Sequence, residues 1–260
     1  MNENQKYHND TTRISKSGLD QINKTPANYF ERYLNENKIE EKQSAALLFG
    51  SAFHSYILEP ELFQSEFIIL PSFSGKGSRD KKEQFILNAG NKTPLSIDDF
   101  QKIVGMSDAI QKHPIASLLI NEPGFSERVF HWTDKETSVK CKCKPDRYNS
   151  KRKFIVDLKS TENASENDFK FSAKKFRYFV QSAFYSDGLE ANKIPVDGFI
   201  FIAVEKKSPY LVNCFIYGEI ENDFGRSEYK ENLKTYAECL DANNWPGYET
   251  GIKPLEIPGL

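Results

Sequence analysis

The sequence predicts an α/β fold in which a mixed sheet is flanked by helices and carries a helical addition on its N-terminal side. Three observations lead there. As far as about residue 121 the apolar residues recur at helical spacing. From Phe125 the period shortens toward two. The strand-like segments are then interrupted by one long amphipathic stretch, Phe169–Ala191, with Phe176, Phe179, Val180, Ala183, Phe184 and Leu189 along one side.

Residues 1–12 are polar and read as a loose terminus. Ser15 or Ser17 caps a helix running toward Leu34, broken at Thr25-Pro26, where a second helix starts naturally on the proline. A helix over Ser44–Leu58 stops before Glu59-Pro60 and has a face of small residues. Pro71–Lys82 is a Gly-, Ser- and Lys-rich loop, followed by helix near Asp80–Asn88. Ser96 and Asp99 start another helix, which runs to about Lys112 and ends before His113-Pro114, with a short one at Ile115–Asn121. Glu127–Trp132 and Val139–Asp146 then read as a hairpin, and Lys153–Lys159 as a third strand. After the long helix, Val196–Val204 and Leu211–Ile220 are two strands joined at Lys206–Pro209, and Phe224–Asn243 is the last helix. The tail beyond Trp245, with Pro246, Pro254 and Pro258, reads as a segment packed on the surface. The expected organisation is a single domain over 1–260, with a mainly helical part at 13–121, sheet and long helix at 125–220, and a C-terminal helix and tail at 221–260.

Apolar residues form 38% and charged residues 28% of the chain, a globular balance and not a disordered one. The net charge of -2 neither announces nor excludes a nucleic-acid partner, because basic residues can gather on one face. No leader-like segment and no run near the roughly 18 apolar residues of a spanning helix is present, so a cytoplasmic chain without a membrane is expected. Cys141, Cys143, Cys214 and Cys239 have neither zinc-knuckle nor iron–sulfur spacing and read as reduced thiols.

The chemistry concentrates in Lys-Pro-Asp146, ten residues, then Asp157-Leu158-Lys159. In a strand, residues 157 and 159 project from one face, so a carboxylate and an ammonium share one space. Asp146 ends the preceding strand, and two carboxylates meeting there suit a hard cation such as Mg²⁺. Such a cation polarises a phosphodiester and activates water, while Lys159 orients that water or balances developing charge. Asp-x-Lys alone is weak, since a surface ion pair gives the same residues. Phe154-Ile155-Val156 adds weight, because a buried strand delivers its end to the place where α/β sheets hold sites.

Cys143-Lys-Pro-Asp146 with Val156-Asp157-Leu-Lys159-Ser-Thr161 resembles the PDDEXK (restriction-endonuclease-like) nuclease superfamily, in the branch of RecB nuclease domains, lambda exonuclease and RecE (exodeoxyribonuclease VIII). Further signs follow in the RecE-type order. These are Ile14-Ser15-Lys16-Ser17-Gly18-Leu19 before Thr25-Pro26, Gly50-x-x-x-His54 before Leu58-Glu59-Pro60, His113-Pro114, Glu127, and Tyr178 to Tyr185, spanning roughly 13–190. The resemblance implies Asp146, Asp157 and the Leu158 carbonyl as metal ligands, with His54 as a ligand or a metal-adjacent group. It implies Lys159 as the catalytic lysine, Gln181 and Tyr185 as a Gln-x-x-x-Tyr pair on one helix face, and Glu127 as an additional acidic residue. On their own, His54 suits a structural histidine, Gln181 and Tyr185 an ordinary amphipathic helix, and Glu127 a solvated strand position.

The function implied is a Mg²⁺-dependent exonuclease, with Mn²⁺ as a substitute. It would hydrolyse linear double-stranded DNA 5′-to-3′ and make single-stranded ends for recombination, with a ring-like homo-oligomer and a single-strand annealing protein as partner. Lys174, Lys175 and Arg177 among aromatics, and Lys76 and Arg79 in the flexible loop, are candidate DNA contacts, though solvated surfaces carry such residues equally often. Ser15, Lys16 and Ser17 would bind phosphate at a helix start by analogy. Two other readings are an endonuclease or structure-specific relative, and an inactive DNA-binding relative. The CRISPR-adaptation type of relative holds an iron–sulfur cluster with one N-terminal cysteine, and no cysteine precedes Cys141. The inactive reading predicts a broken metal site, whereas His54, Asp146, Asp157, Lys159, Gln181 and Tyr185 are all present.

Overall fold

The structure, a computed structural model, describes residues 3–37 and 44–255. Pro258, in the tail expected to pack on the surface, lies outside the described residues.

The N-terminus is not loose: Glu3–Asn9 is a helix, α1. Its hold is long-range and therefore invisible to local pattern. The Lys142 ammonium donates to the Tyr7 carbonyl and, at 2.6 Å, to that of Asp10, and it lies 4.6 Å from the Tyr7 ring centroid. Those carbonyls close the last turn of a helix, where no intrahelical donor remains.

Capping explains the next elements. Ser15 accepts from the Gly18 amide to start α2, Lys16–Lys24. Thr25 accepts from Asn28 N to start α3, Pro26–Tyr29, which continues as one π-helical turn, Phe30–Leu34. Ser44 starts α4, Ala45–Leu58, and α5, Pro60–Glu66, follows on its proline. Two short parallel strands, β1 (Phe67–Leu70) and β2 (Thr93–Ser96), enclose α6, Ser78–Asn88. Each spans four residues and pairs only with the other, too short a run to give a periodic signal. Ser96 caps α7, Ile97–Lys112, by accepting from Asp99 N. The His113 Nδ1 accepts from Ala116 N to cap α8, Pro114–Asn121, so this histidine has a structural task.

The second half holds β3 (Gly124–Ser126), β4 (Phe130–Thr133), β5 (Lys140–Cys143), β6 (Arg147–Asn149) and β7 (Phe154–Thr161). Then come α9 (Glu166–Lys175), α10 (Tyr178–Ala191), β8 (Gly198–Glu205), β9 (Val212–Ile216) and α11 (Glu219–Ala242). The main sheet runs β3-β6-β7-β8-β9, with β7 and β8 parallel and the other pairs antiparallel. The expected hairpin is shorter than its sequence reading: β4 and β5 form a two-stranded ribbon bridged at Cys141 to Ile14, and the chain leaves that ribbon before Asp146 to enter the main sheet as β6. The expected long helix is two. Arg177 adopts φ 52° between α9 and α10, and that left-handed residue ends one helix axis and starts another. Amphipathic period alone does not show such a break.

Both faces of β7 and β8 are covered, which is why their sequences are nearly continuous apolar runs. Ile155, Phe199, Phe201 and Ala203 pack with α2, α10 and α11 on one face. Val156, Leu158, Ile200, Ile202 and Val204 pack with α4, α7 and α8 on the other. Helices α10 and α11 touch at Gly225, where a Cβ would lie 2.2 Å from the Phe179 carbonyl oxygen, so glycine permits the contact. Among the described residues no helix is long and apolar enough to cross a membrane.

Candidate metal centre and catalytic lysine

Strand β7 alternates across the sheet, and this alternation builds the site. Leu158 points into the α4–α7 core, while Asp157 and Lys159 point to the opposite face, toward α10. Gln181, on α10, meets both: its Nε2 donates to Asp157 Oδ1, and its Oε1 accepts from the Lys159 ammonium at 3.2 Å. Lys159 Nζ lies 2.5 Å from Asp157 Oδ2 and 4.6 Å from the Tyr178 ring centroid. Asp157 Oδ2 is thus buried against that ammonium. Burial pushes the Asp157 carboxyl up to about 6, against the pull of Lys159. Burial acts to lower the Lys159 ammonium, but Asp157, Tyr178 and Asp146 together outweigh it and the group is raised and stays charged.

Asp146 stands just before β6 and receives the Leu158 amide at 2.8 Å through Oδ2. The same oxygen lies 3.3 Å from His54 Nδ1, and His54 Nε2 lies 3.0 Å from the Leu158 carbonyl oxygen. Both ring nitrogens face acceptors, so the ring is held as an imidazolium that donates twice. Burial works against that charge, yet Asp146, with Glu127 and Asp157 behind it, raises His54 to about 9. Asp146 moves the other way: burial would raise it, but His54 and Lys159 hold it below the ordinary carboxylate value.

Glu127 is not a solvated strand residue. It lies between β3 and β4 at φ 53°, its amide bonded to the Pro145 and Asp146 carbonyls, so its backbone is bound to the Asp146 segment. Its carboxylate pairs with Lys144, and burial followed by Asp146 raises it to about 7. One ligand atom each from His54, Glu127 and Asp146 lie within 4.8 Å of one another. Two carboxylate oxygens and an imidazole in that space fit a divalent cation, and the buried Asp157 carboxylate lies within electrostatic reach of His54 and Asp146.

Tyr185 follows Gln181 by one turn, packs against Phe184 and Phe199, and is kept neutral by burial within electrostatic reach of Asp157 and Asp146. Ser15 spends its hydroxyl on the α2 cap, and Ser17 is exposed. The Lys16 ammonium donates to the Phe176 carbonyl at 2.6 Å and pairs with Asp20. The guanidinium of Arg177, an expected DNA contact, meets Asp20, Glu228 and Asn232 and ties α2 to α11. Lys174 and Lys175 are exposed at the end of α9. Lys76 and Arg79 are exposed as well, and Arg79 pairs with Glu83. Lys144 and Gly50 stand in the sequence only as parts of motifs, and Asn4 and His8 carry no signal there, yet all four line the recess beside His54. Only the position of Lys144 two residues before Asp146 hinted at this.

A model of the family described as "PDDEXK-like domain of unknown function (DUF3799)" matches residues 15–253. The chain belongs to this family. The PDDEXK-like domain superposes on a crystal structure from Eubacterium rectale described as "Putative exonuclease" with a TM-score of 0.67. The two share 14% identity, over 100% of this chain and 99% of that one, and at this identity the likeness speaks for the fold. A phage related exonuclease from Haemophilus somnus 129PT aligns over 91% of this chain and 100% of its own at 11% identity, but its TM-score of 0.39 carries no argument. No curated protein matches significantly.

Proposed function

We propose that this PDDEXK-like domain is a Mg²⁺-dependent DNA exonuclease that hydrolyses phosphodiester bonds from the ends of linear duplex DNA, in the 5′-to-3′ direction. The observation that carries the reading is the meeting of two sets of groups at the Asp157–Leu158–Lys159 segment. His54, Glu127 and Asp146 gather on one side, and Lys159 is held by Asp157 and Gln181 on the other. Asp146, Glu127 and His54 would hold the cation, with Asp157 Oδ2 and the Leu158 carbonyl as further oxygens. Bound there, Mg²⁺ supplies charge to polarise the phosphodiester and to acidify water. Lys159, fixed on three sides, donates to the attacking water or to the phosphorane oxygen without first having to be ordered. Gln181 keeps the Asp157–Lys159 pair aligned, and Tyr185 walls the site as a neutral group. Strand resection for recombination, a ring-like homo-oligomer and an annealing partner belong to the same reading, and they rest on the resemblance to RecE-type exonucleases.

The test is digestion of linear duplex DNA labelled at the 5′ or the 3′ end, with Mg²⁺, Mn²⁺ or EDTA, beside a closed circular duplex. Loss of linear DNA only with metal, the circle spared and the 5′ label released first, is expected. Cutting of the circle would make the protein an endonuclease. Metal-independent binding without cleavage would make it an inactive relative.

A further inference from the structure

Beside His54 lies a recess of about 280 Å³, near the lower end of the ~300–1,000 Å³ usual for ligand pockets. It is lined by Glu127 and Asp146, by residues of α4, and by Asn4 and His8 of α1. Helix α1, which contributes this side of the recess, precedes the family-matched range of 15–253.

Gly50 lines the recess from the interior of α4, one turn before His54 and on the same face. A glycine in a helix interior is unfavourable relative to alanine, so a packing reason is normally sought for it. At Gly225 that reason exists in the Phe179 carbonyl; at Gly50 a Cβ would meet nothing within 4 Å. The backbone is ordinary helix, with no left-handed φ to excuse the residue. What glycine secures at this position is open volume in the recess. The surroundings of that volume are mixed: the Lys144 ammonium, His8 and Asn4 offer polar groups, while Leu47 and Leu62 are apolar.

We propose that this recess is a subsite for one nucleotide next to the scissile phosphate, kept open by Gly50 and walled by α1. The inference rests on the nuclease reading of the adjoining metal centre. Lys144 and His8 suit the phosphate and sugar edge, and the Leu47 side suits the flat face of a base. With α1 as a wall, the subsite receives a strand from the side of the metal centre.

The experiment fills the recess from Gly50. Gly50→Leu, purified as the full chain, is titrated with the unlabelled dinucleotide pTpT in Ca²⁺ and assayed on linear duplex DNA. Affinity for pTpT should fall, and KM should rise, by roughly tenfold or more, as filling a substrate pocket does. Affinity for Mn²⁺ should stay unchanged, and the melting temperature should not fall. Gly50→Ala, with a smaller effect of the same sign, guards against a leucine that disturbs α4. His8→Ala, which changes the α1 side of the recess, should also weaken pTpT. Unchanged pTpT affinity and KM in Gly50→Leu would overturn the subsite. A wild-type protein that fails to cleave DNA would overturn the nuclease reading, and the pTpT titration would still decide the subsite by itself.

Discussion

The Nε2 of His54 lies 3.0 Å from the carbonyl oxygen of Leu158, and this contact joins the helical half of the chain to the central strand of the sheet at the candidate metal centre. The same ring reaches Asp146 through Nδ1. His54 thus fixes a carboxylate and a carbonyl that stand 12 residues apart in the chain. His54→Ala should lower divalent-cation affinity by roughly 10- to 100-fold, the usual cost of losing a ligand-orienting group. Titration with Mn²⁺ in the absence of DNA measures it, and unchanged affinity would remove His54 from the centre.

Asp157 and Lys159 should separate by what each mutation spares. Asp157→Ala should abolish cleavage while DNA binding and folding largely persist, and retained cleavage would sink the assignment. Lys159→Met should cost turnover by about 10²–10³-fold, the scale of losing one charge-stabilising donor, with Mn²⁺ affinity kept. Breaking a buried pair commonly costs about 3–5 kcal/mol. Here Asp157 already titrates near 6 and keeps Gln181, so it can take a proton and the loss should stay on the order of 1–3 kcal/mol. A denaturant melt beside single-turnover rates checks both halves.

Much of this site was legible in the sequence, for a physical reason. Asp157, Leu158 and Lys159 sit in one buried strand, and strand alternation fixes which side each group takes. Gln181 likewise follows from a helix packed on that face. What local pattern could not show depends on contacts between distant segments. Glu127 looks like a strand residue until its left-handed backbone is seen bonded to Pro145 and Asp146. Helix α1 exists because Lys142, more than 130 residues away, caps it. The break at Arg177 follows from a guanidinium whose acceptors come from α2 and α11.

Protonation should couple stability to the metal. Glu127, near 7, and Asp157, near 6, bind protons in the fold at pH values where the unfolded chain has released them. Their contribution is present in acid and is lost as pH rises through about 6 to 7. His54, raised to about 9 from 6.5, contributes fully below 6.5 and loses its contribution as pH rises through 9. Asp146, lowered, contributes above the ordinary carboxylate value and loses it only as pH falls further. In EDTA the melting temperature should therefore decline from about pH 5 toward pH 9. A cation needs ionised carboxylates and a neutral imidazole, so the increase in melting temperature on adding Mn²⁺ should grow over the same range. Thermal melts across pH with EDTA and with Mn²⁺ test this, and an increment independent of pH would contradict it.

The lysines ending α9 and the arginine that follows them should part company experimentally. Lys174 and Lys175 are exposed at the end of α9, whereas the Arg177 side chain is 12% exposed and holds acceptors on two helices. Phosphate contacts release counterions, so each lysine that meets DNA adds about 0.9 to the salt slope of binding. Lys174→Ala with Lys175→Ala should weaken DNA binding, flatten that slope by up to about 1.8 and leave the melting temperature in place. Arg177→Ala should do the reverse. It removes the guanidinium from Glu228 and Asn232 and leaves Asp20 with Lys16 alone, with a stability loss on the order of 1.5–3 kcal/mol, as for a hydrogen-bonded charge, and little change in slope. DNA-binding isotherms over a salt series, paired with melts, distinguish the two. An Arg177→Ala protein that melts normally but binds DNA with a flatter salt dependence would return Arg177 to the DNA interface, and the clamp between α2 and α11 would have to be given up.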